Sequence, residues 1–188
     1  MNRTAVLFDL GGTLAYYYEM LDFPGLLEQA ITEVQEYLLK EGKLLQPPLG
    51  AEELIRRVRQ EDHETKDYRV RPSEHRFCRI FELDASKCSD KFVLEMCRCF
   101  LRPIFARGHC YDDSVPTPKG LRSKGIKIGI ISNTSWGSPA ALWREEIDRL
   151  GLGDLFDATI FCRDVGSRKP ANQIFQFALQ KLNADPQD

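Results

Sequence analysis

Hydrophobic positions along the chain fall into three patterns. The first is a short continuous run, Ala5-Val6-Leu7-Phe8, broken by Asp9 and then by Gly11-Gly12-Thr13. An apolar run of this length predicts a strand buried on both faces, as in a parallel sheet, and the paired glycines predict a tight turn after it. The second pattern, residues 16–112, reads as helical throughout. After Pro24-Gly25, the residues Leu27, Ala30, Ile31, Val34 and Leu38 recur at helical spacing, and Gly42 supplies a stop. Gln46-Pro47-Pro48-Leu49-Gly50 predicts a loop, and Leu54, Ile55 and Val58 open a second helix. Phe77, Ile80 and Phe81 share one side of a third helix, with Ser73 as its N-cap; a fourth begins near Ser89 and carries Phe92, Val93, Met96, Phe100 and Leu101. No strand is expected in this stretch.

The third pattern returns to strand–helix alternation. Ile126-Lys127-Ile128-Gly129-Ile130-Ile131 predicts a strand ending at Ser132-Asn133-Thr134. Ser138-Pro139 caps a helix with Trp143, Ile147 and Leu150 on one face, closed by Gly151. Ala158-Thr159-Ile160-Phe161 predicts a short strand, and Lys169-Pro170 opens a last helix with Ile174, Ala178 and Leu182 aligned. Such alternation implies βαβ units, a parallel sheet and an α/β fold, with ligands bound beyond the carboxyl ends of the strands.

Composition narrows the classes. The 188 residues are 43% hydrophobic and 29% charged, which fits a soluble globular protein rather than a disordered one. A net charge of −2 gives no electrostatic reason to seek nucleic acid or acidic lipid. Every apolar run is shorter than the roughly 20 residues that cross a bilayer. The N-terminal stretch, with a charge directly after a four-residue apolar run, does not read as an export signal. The expected location is therefore cytoplasmic. The cysteines, Cys78, Cys88, Cys97, Cys99, Cys110 and Cys162, show no zinc-ligand spacing and are expected to be reduced thiols packed as small hydrophobes.

The candidate chemistry lies at the strand ends. Asp9 follows the first strand, Ser132 ends the second, and a loop leading to Lys169 follows the third. Taken singly, these are an ordinary loop cap, a turn and a solvated lysine. Taken together and in this order, they place a carboxylate, a hydroxyl and an ammonium group at one end of a sheet.

In this arrangement the sequence resembles the haloacid dehalogenase-like hydrolase superfamily. Phe8-Asp9-Leu10-Gly11-Gly12-Thr13-Leu14 looks like its first motif, Ile130-Ile131-Ser132-Asn133-Thr134 its second, and Gly166-Ser167-Arg168-Lys169-Pro170 its third. The resemblance implies a Rossmann-like parallel-sheet core from residues 1–15 and 113–188, with a helical cap at 16–112 inserted between the first two motifs. It implies that Asp9 is the nucleophile of a phosphatase, forming an aspartyl-phosphate, with Lys169 as the charge that offsets it. Gly12, Thr13, Ser132 and Asn133 would hold the phosphate or orient the first loop. A Mg²⁺ ion would bridge Asp9, the Gly11 carbonyl and a small phosphorylated substrate. A carboxylate suits this task because it is already ionised at neutral pH and needs no base to activate it.

Departures from the family pattern sharpen the reading. Phosphatases of this family carry a second aspartate, the general acid and base, where this chain has Gly11. The family's fourth, acidic motif lies on a strand after the last helix, and the sequence ends at Asp185-Pro186-Gln187-Asp188, where that strand should begin. The expectation is that the C-terminal part of the core is missing from this chain, or that this is a relative whose first strand is covered by other means. Two prolines and a glycine in Val115-Pro116-Thr117-Pro118-Lys119-Gly120 weaken the start of the helix before the second motif. In the insert, Tyr16, Tyr17 and Tyr18 either face the cleft or pack. Arg69, Arg71, His75, Arg76 and Arg79 either receive an anionic substrate or form a solvated face. Trp136 lines the pocket or packs in the core. A carbon–halogen hydrolase and a non-catalytic binding domain stand as alternatives to the phosphatase.

Overall fold

The computed structural model describes residues 5–44, 48–62 and 66–185. Two expected loops, at 46–50 and at 185–188, lie partly outside these residues, as does the start of the N-terminal stretch. In chain order the elements are β1 (Ala5–Phe8), β2 (Ala15–Tyr16), α1 (Phe23–Lys40), α2 (Ala51–Glu61), α3 (Ser73–Ile80), α4 (Asp90–Phe105), β3 (His109–Cys110), α5 (Pro116–Ser123), β4 (Lys127–Ser132), α6 (Ala140–Arg149), β5 (Ala158–Phe161), α7 (Cys162–Val165) and α8 (Asn172–Leu182). Among the described residues no helix is long and apolar enough to cross a membrane.

The chain forms two units. One comprises Met1–Tyr17, Asp67–Val70 and Gly108–Asp188. Its sheet is parallel, in the order β1-β4-β5, with Phe8 opposite Ile130 and Ser132 opposite Phe161. The central strand β4 is buried almost throughout, as an apolar strand with a neighbour on each side should be. β1 differs from expectation: all four of its residues are only half-buried. The reason is position, because among the described residues β1 pairs along one edge only. Ile131, Ile160, Cys162, Ile174 and Ala178 form a core between the sheet and α8, and Leu7, Val70 and Phe177 pack against it.

The expectation of no strand within 16–112 is corrected by β2 and β3. They pair antiparallel, Ala15 with Cys110 and Tyr16 with His109. A two-residue ladder is too short to show the alternation by which strands are recognised. Arg69 also faces Ser167 across an antiparallel bridge. The prolines before β4 shorten α5 less than expected: Pro116 and Pro118 lie in its first turn, where a missing N–H breaks no helical bond.

The other unit, Tyr18–Lys66 and Arg71–Arg107, is helical. α1 and α4 pack against each other along their buried faces, Leu27, Ala30, Ile31, Val34 and Leu38 on the first and Met96, Phe100, Leu101 and Ile104 on the second. Phe77 of α3 meets Phe100 with ring centroids 5.3 Å apart. α4 begins at Asp90, next to Ser89 where it was expected, and Ser89 caps it by accepting from the Phe92 N–H at 3.3 Å. Ser73 is not a cap: it is the first helical residue of α3, fully buried, with its hydroxyl 3.5 Å from the Cys97 thiol. Ser138 is likewise diverted from the α6 backbone, its hydroxyl accepting from the Trp143 indole N–H at 2.8 Å. Of the cysteines, Cys97 and Cys162 are buried and the other four only half-buried, short of the core packing expected of them.

Candidate active site

β1 and β4 run parallel, so their carboxyl ends deliver Asp9 and Ser132 to the same end of the sheet. The Ser132 hydroxyl, on a residue only 4% exposed, donates to Asp9 Oδ1 at 2.7 Å. The Leu10 N–H reaches the same oxygen at 2.7 Å. The third segment arrives after β5: α7 ends at Gly166 in the left-handed conformation (φ 77°), and the loop beyond brings Lys169 Nζ to 2.6 Å from Asp9 Oδ2. Three stretches of chain thus converge on one carboxylate. Among the described residues its two oxygens accept three hydrogen bonds, which leaves one of roughly four lone-pair sites open on Oδ2.

The remaining predicted residues surround this centre in different ways. Asn133 does not aim its side chain at the carboxylate. It clamps the lysine's backbone instead, accepting from the Lys169 N–H at 2.8 Å and donating to the Lys169 carbonyl at 3.4 Å. Gly12 sits at φ 74°, a conformation that favours glycine, and its N–H is committed to the Ala15 carbonyl at 2.9 Å. The Thr13 N–H closes onto the Leu10 carbonyl at 3.3 Å, and the residue is exposed. Neither backbone donor is therefore left open toward a phosphate here. The Gly11 carbonyl takes no part in these turn bonds.

The donor set can be tested against the magnesium ion that the resemblance implies. One carboxylate with an open lone pair and one uncommitted carbonyl, both from the loop after β1, are hard oxygen donors of the kind Mg²⁺ takes, alongside substrate phosphate and water. Among the described residues no group of three or more His, Cys, Asp or Glu side chains is arranged to hold a metal. The described residues thus fit a site of two protein donors.

Beneath the first loop lies a buried cluster. Tyr17 packs edge-on against Trp143, with centroids 5.6 Å apart. Glu146, 2% exposed, binds Arg149 through two contacts of 2.7 Å, and the Arg149 guanidinium also donates to the Gly108 carbonyl at 3.0 Å. Burial, aided by the negative charge of Glu146, pushes the Tyr17 phenol well above its usual range. Of the three tyrosines, Tyr17 therefore packs, while Tyr16 stacks on His109 at 5.2 Å. Trp136 is also buried, in a left-handed conformation (φ 55°) unusual for a bulky residue. The basic stretch is divided. In the helical unit the Arg76 guanidinium donates to the Glu61 carbonyl at 2.7 Å, and Arg79 forks onto the Glu61 carboxylate at 2.8 and 2.6 Å. Arg69 belongs to the sheet-bearing unit and is exposed.

The family model for haloacid dehalogenase-like hydrolases matches residues 4–188. The chain belongs to this family. Among curated proteins, this haloacid dehalogenase-like hydrolase is 27% identical over 186 residues to a glyceraldehyde 3-phosphate phosphatase of Methanopyrus kandleri, covering 98% of this chain and 72% of that one. It is 34% identical over 83 residues to the enzyme of the same name from Methanothermobacter thermautotrophicus, covering 44% of this chain and 35% of that one. Among solved structures, a HAD phosphatase from Thermococcus onnurineus superposes with a TM-score of 0.62 at 24% identity, covering 98% of this chain and 74% of that one. The α/β parallel-sheet fold is therefore the family's.

Sequence reasoning missed two features of the site. The Asn133 clamp depends on two loops 36 residues apart in sequence meeting, which no local pattern announces. The pairing of residues 68–70 with 166–168 is equally non-local. No local sequence signal announces it.

Proposed function

We propose that this hydrolase is a magnesium-dependent phosphatase acting on a small phosphorylated metabolite through an aspartyl-phosphate. The observation that carries this reading is the convergence of Ser132 and Lys169 on the two oxygens of one carboxylate, at 2.7 and 2.6 Å. The phosphatases among its relatives support the same class of substrate.

Asp9 attacks phosphorus in line; a bond forms from its carboxylate oxygen and the bond to the leaving group breaks. The Lys169 ammonium lies where negative charge gathers and offsets it as a point charge. The Ser132 hydroxyl, which orients Asp9 in this structure, serves a phosphoryl oxygen when substrate is present. Asn133 holds the backbone of Lys169, so its contribution runs through the ammonium. Water then attacks phosphorus and returns Asp9 to its free carboxylate. Asp9 and the Gly11 carbonyl would hold Mg²⁺, which supplies further neutralisation of phosphoryl charge.

The test is steady-state turnover of p-nitrophenyl phosphate, acetyl phosphate, a sugar phosphate and a 2-haloacid, each with magnesium and with chelator. Phosphate release should fall by about 10³-fold or more in Asp9→Asn and be abolished by chelator. Halide release that ignores the chelator, or an Asp9→Asn variant with wild-type turnover, would sink the reading.

A further inference from the structure

Lys169 sits on a loop, and a long flexible side chain on an unsupported loop makes a poor fixed charge. The loop is held from two sides. On one side is the Asn133 clamp. On the other is a segment from the middle of the sequence, Asp67–Val70, which belongs to the sheet-bearing unit although the residues around it belong to the helical one. The Arg168 N–H donates to the Tyr68 carbonyl at 2.8 Å, and the Val70 N–H donates to the Gly166 carbonyl at 3.0 Å. Between these bonds Arg69 stands opposite Ser167 in an antiparallel bridge. The Val70 side chain packs on the core cluster of Ile131, Ile160, Cys162, Ile174 and Ala178. The Arg168 guanidinium lies over the Tyr68 ring, 5.5 Å from its centroid.

We propose that Tyr68–Val70 is a positioning strap for Lys169: by pairing with Gly166–Arg168 it fixes the loop from which the ammonium reaches Asp9. The proposal rests on the reading of Asp9 and Lys169 given above. Tyr68 supplies the second observation. Its φ is 54°, a left-handed conformation that is uncommon for a residue other than glycine, asparagine or aspartate, and it adopts this just where its carbonyl turns to the Arg168 N–H. Conformations of this kind persist where surrounding contacts over-determine them, and they gather at sites whose geometry matters. Here the contacts are the two backbone bonds, the Val70 anchor and the stacked guanidinium. Tyr68, Arg69 and Val70 are positioning residues: they touch the lysine's loop and act through it.

The backbone conformation and the ring can be separated. Tyr68→Val and Tyr68→Asn both remove the ring, but asparagine accepts the left-handed conformation and a β-branched residue resists it. With the full chain, p-nitrophenyl phosphate and magnesium, Tyr68→Val should lower kcat/KM about tenfold, and Tyr68→Asn by no more than about twofold. In a Lys169→Ala background the further effect of Tyr68→Val should shrink to about twofold or less, because the strap acts through the ammonium. Calorimetric affinity for inorganic phosphate should weaken in Tyr68→Val and hold in Tyr68→Asn. Val70→Pro, which deletes the donor to Gly166, carries the same expectations as Tyr68→Val and replaces it if circular dichroism shows that variant unfolded. Equal losses in the valine and asparagine variants, or a tenfold loss that persists without the Lys169 amine, would overturn the strap. Wild-type turnover in Lys169→Ala itself would overturn the underlying reading, and the strap with it, so the two failures are told apart.

Discussion

Two ion pairs of nearly equal length show how differently the two units use charge. In the helical unit, Arg56 Nη2 and Glu53 Oε1 are 2.7 Å apart, on residues one helical turn apart with side chains 57% and 36% exposed. In the sheet-bearing unit, Lys169 Nζ and Asp9 Oδ2 are 2.6 Å apart, with side chains 19% and 41% exposed. The first pair follows from helical periodicity alone and forms wherever that helix forms. The second exists only when β1, β4, β5 and the loop after α7 are all in place. Distance does not tell the two apart; what assembles them does. The first is a solvated surface contact of small worth. The second holds a charge against a carboxylate that also carries a serine hydroxyl and a backbone N–H, which is how a reaction centre is preorganised.

The sharpest way to press that contrast is at Gly11, beside Asp9. The sheet-end cluster supplies a carboxylate and an ammonium, and Gly11 contributes no acidic side chain to protonate a leaving group. Aryl and acyl phosphates release stabilised anions, whereas alkyl phosphates release alkoxides that need a proton. We expect kcat/KM for p-nitrophenyl or acetyl phosphate to exceed that for a simple alkyl phosphate by about 10² or more, the usual worth of general acid catalysis. Gly11→Asp should narrow the gap by raising the alkyl rate. There is room for the change: a Cβ at Gly11 would meet only Tyr17 Cδ2, at 3.8 Å, an ordinary contact. Matched rates for aryl and alkyl substrates in the wild-type protein would show that an acid is supplied by another residue.

How much of this was legible beforehand divides along the same line. Features fixed by a local period were readable: the strand cores at 5–8, 127–132 and 158–161, and the buried stripes of α1, α4 and α8. The grouping of Asp9, Ser132 and Lys169 was readable too, because parallel strands send their ends to one side. Features that depend on a meeting between distant segments were not. The two-residue strands β2 and β3 depend on each other. Ser73 and Ser138 have the composition of caps, yet each found a better partner in tertiary structure, Cys97 and Trp143. The engagement of the Asn133 side chain with the lysine's backbone was not legible either, because it joins two distant loops.

A moderate effect on stability alone is expected at Gly108, which tests whether the cluster beneath the first loop is as closely packed as its contacts imply. A Cβ there would lie 2.6 Å from Glu146 Oε1, 2.8 Å from Tyr17 Cε1 and 3.0 Å from Arg149 Nη2. The Arg149 end of the fork is half-exposed and can shift, but the Tyr17 ring and the Glu146 carboxylate are buried and have little room to yield. Gly108→Ala should therefore destabilise the protein by about 1–3 kcal/mol, the range for overpacking, read as a lower urea midpoint with an unchanged slope. A midpoint equal to wild type would mean that the ion pair shifts freely and that the cluster is not a rigid support.

The smallest effect belongs to the pair with which the contrast began. Hydrogen bonds from Arg56 and Arg57 lower the Glu53 carboxyl from 4.5 to about 2. A carboxyl lowered by folding contributes stability that is fully present above its unfolded pKa and is lost as pH falls through its folded one. For Glu53 that window runs from 4.5 down to about 2. The pair lies at the surface, so solvent and salt screen most of the contribution. Glu53→Gln should lower the thermal midpoint only slightly at neutral pH, and the difference from wild type should close as the pH falls through that window or as salt is raised. Turnover of p-nitrophenyl phosphate should not respond, since this pair belongs to a helix of the other unit and its partners lie within that unit. A change in kcat/KM larger than about twofold would contradict the division drawn here, because a screened surface pair has no energy of that size to transmit.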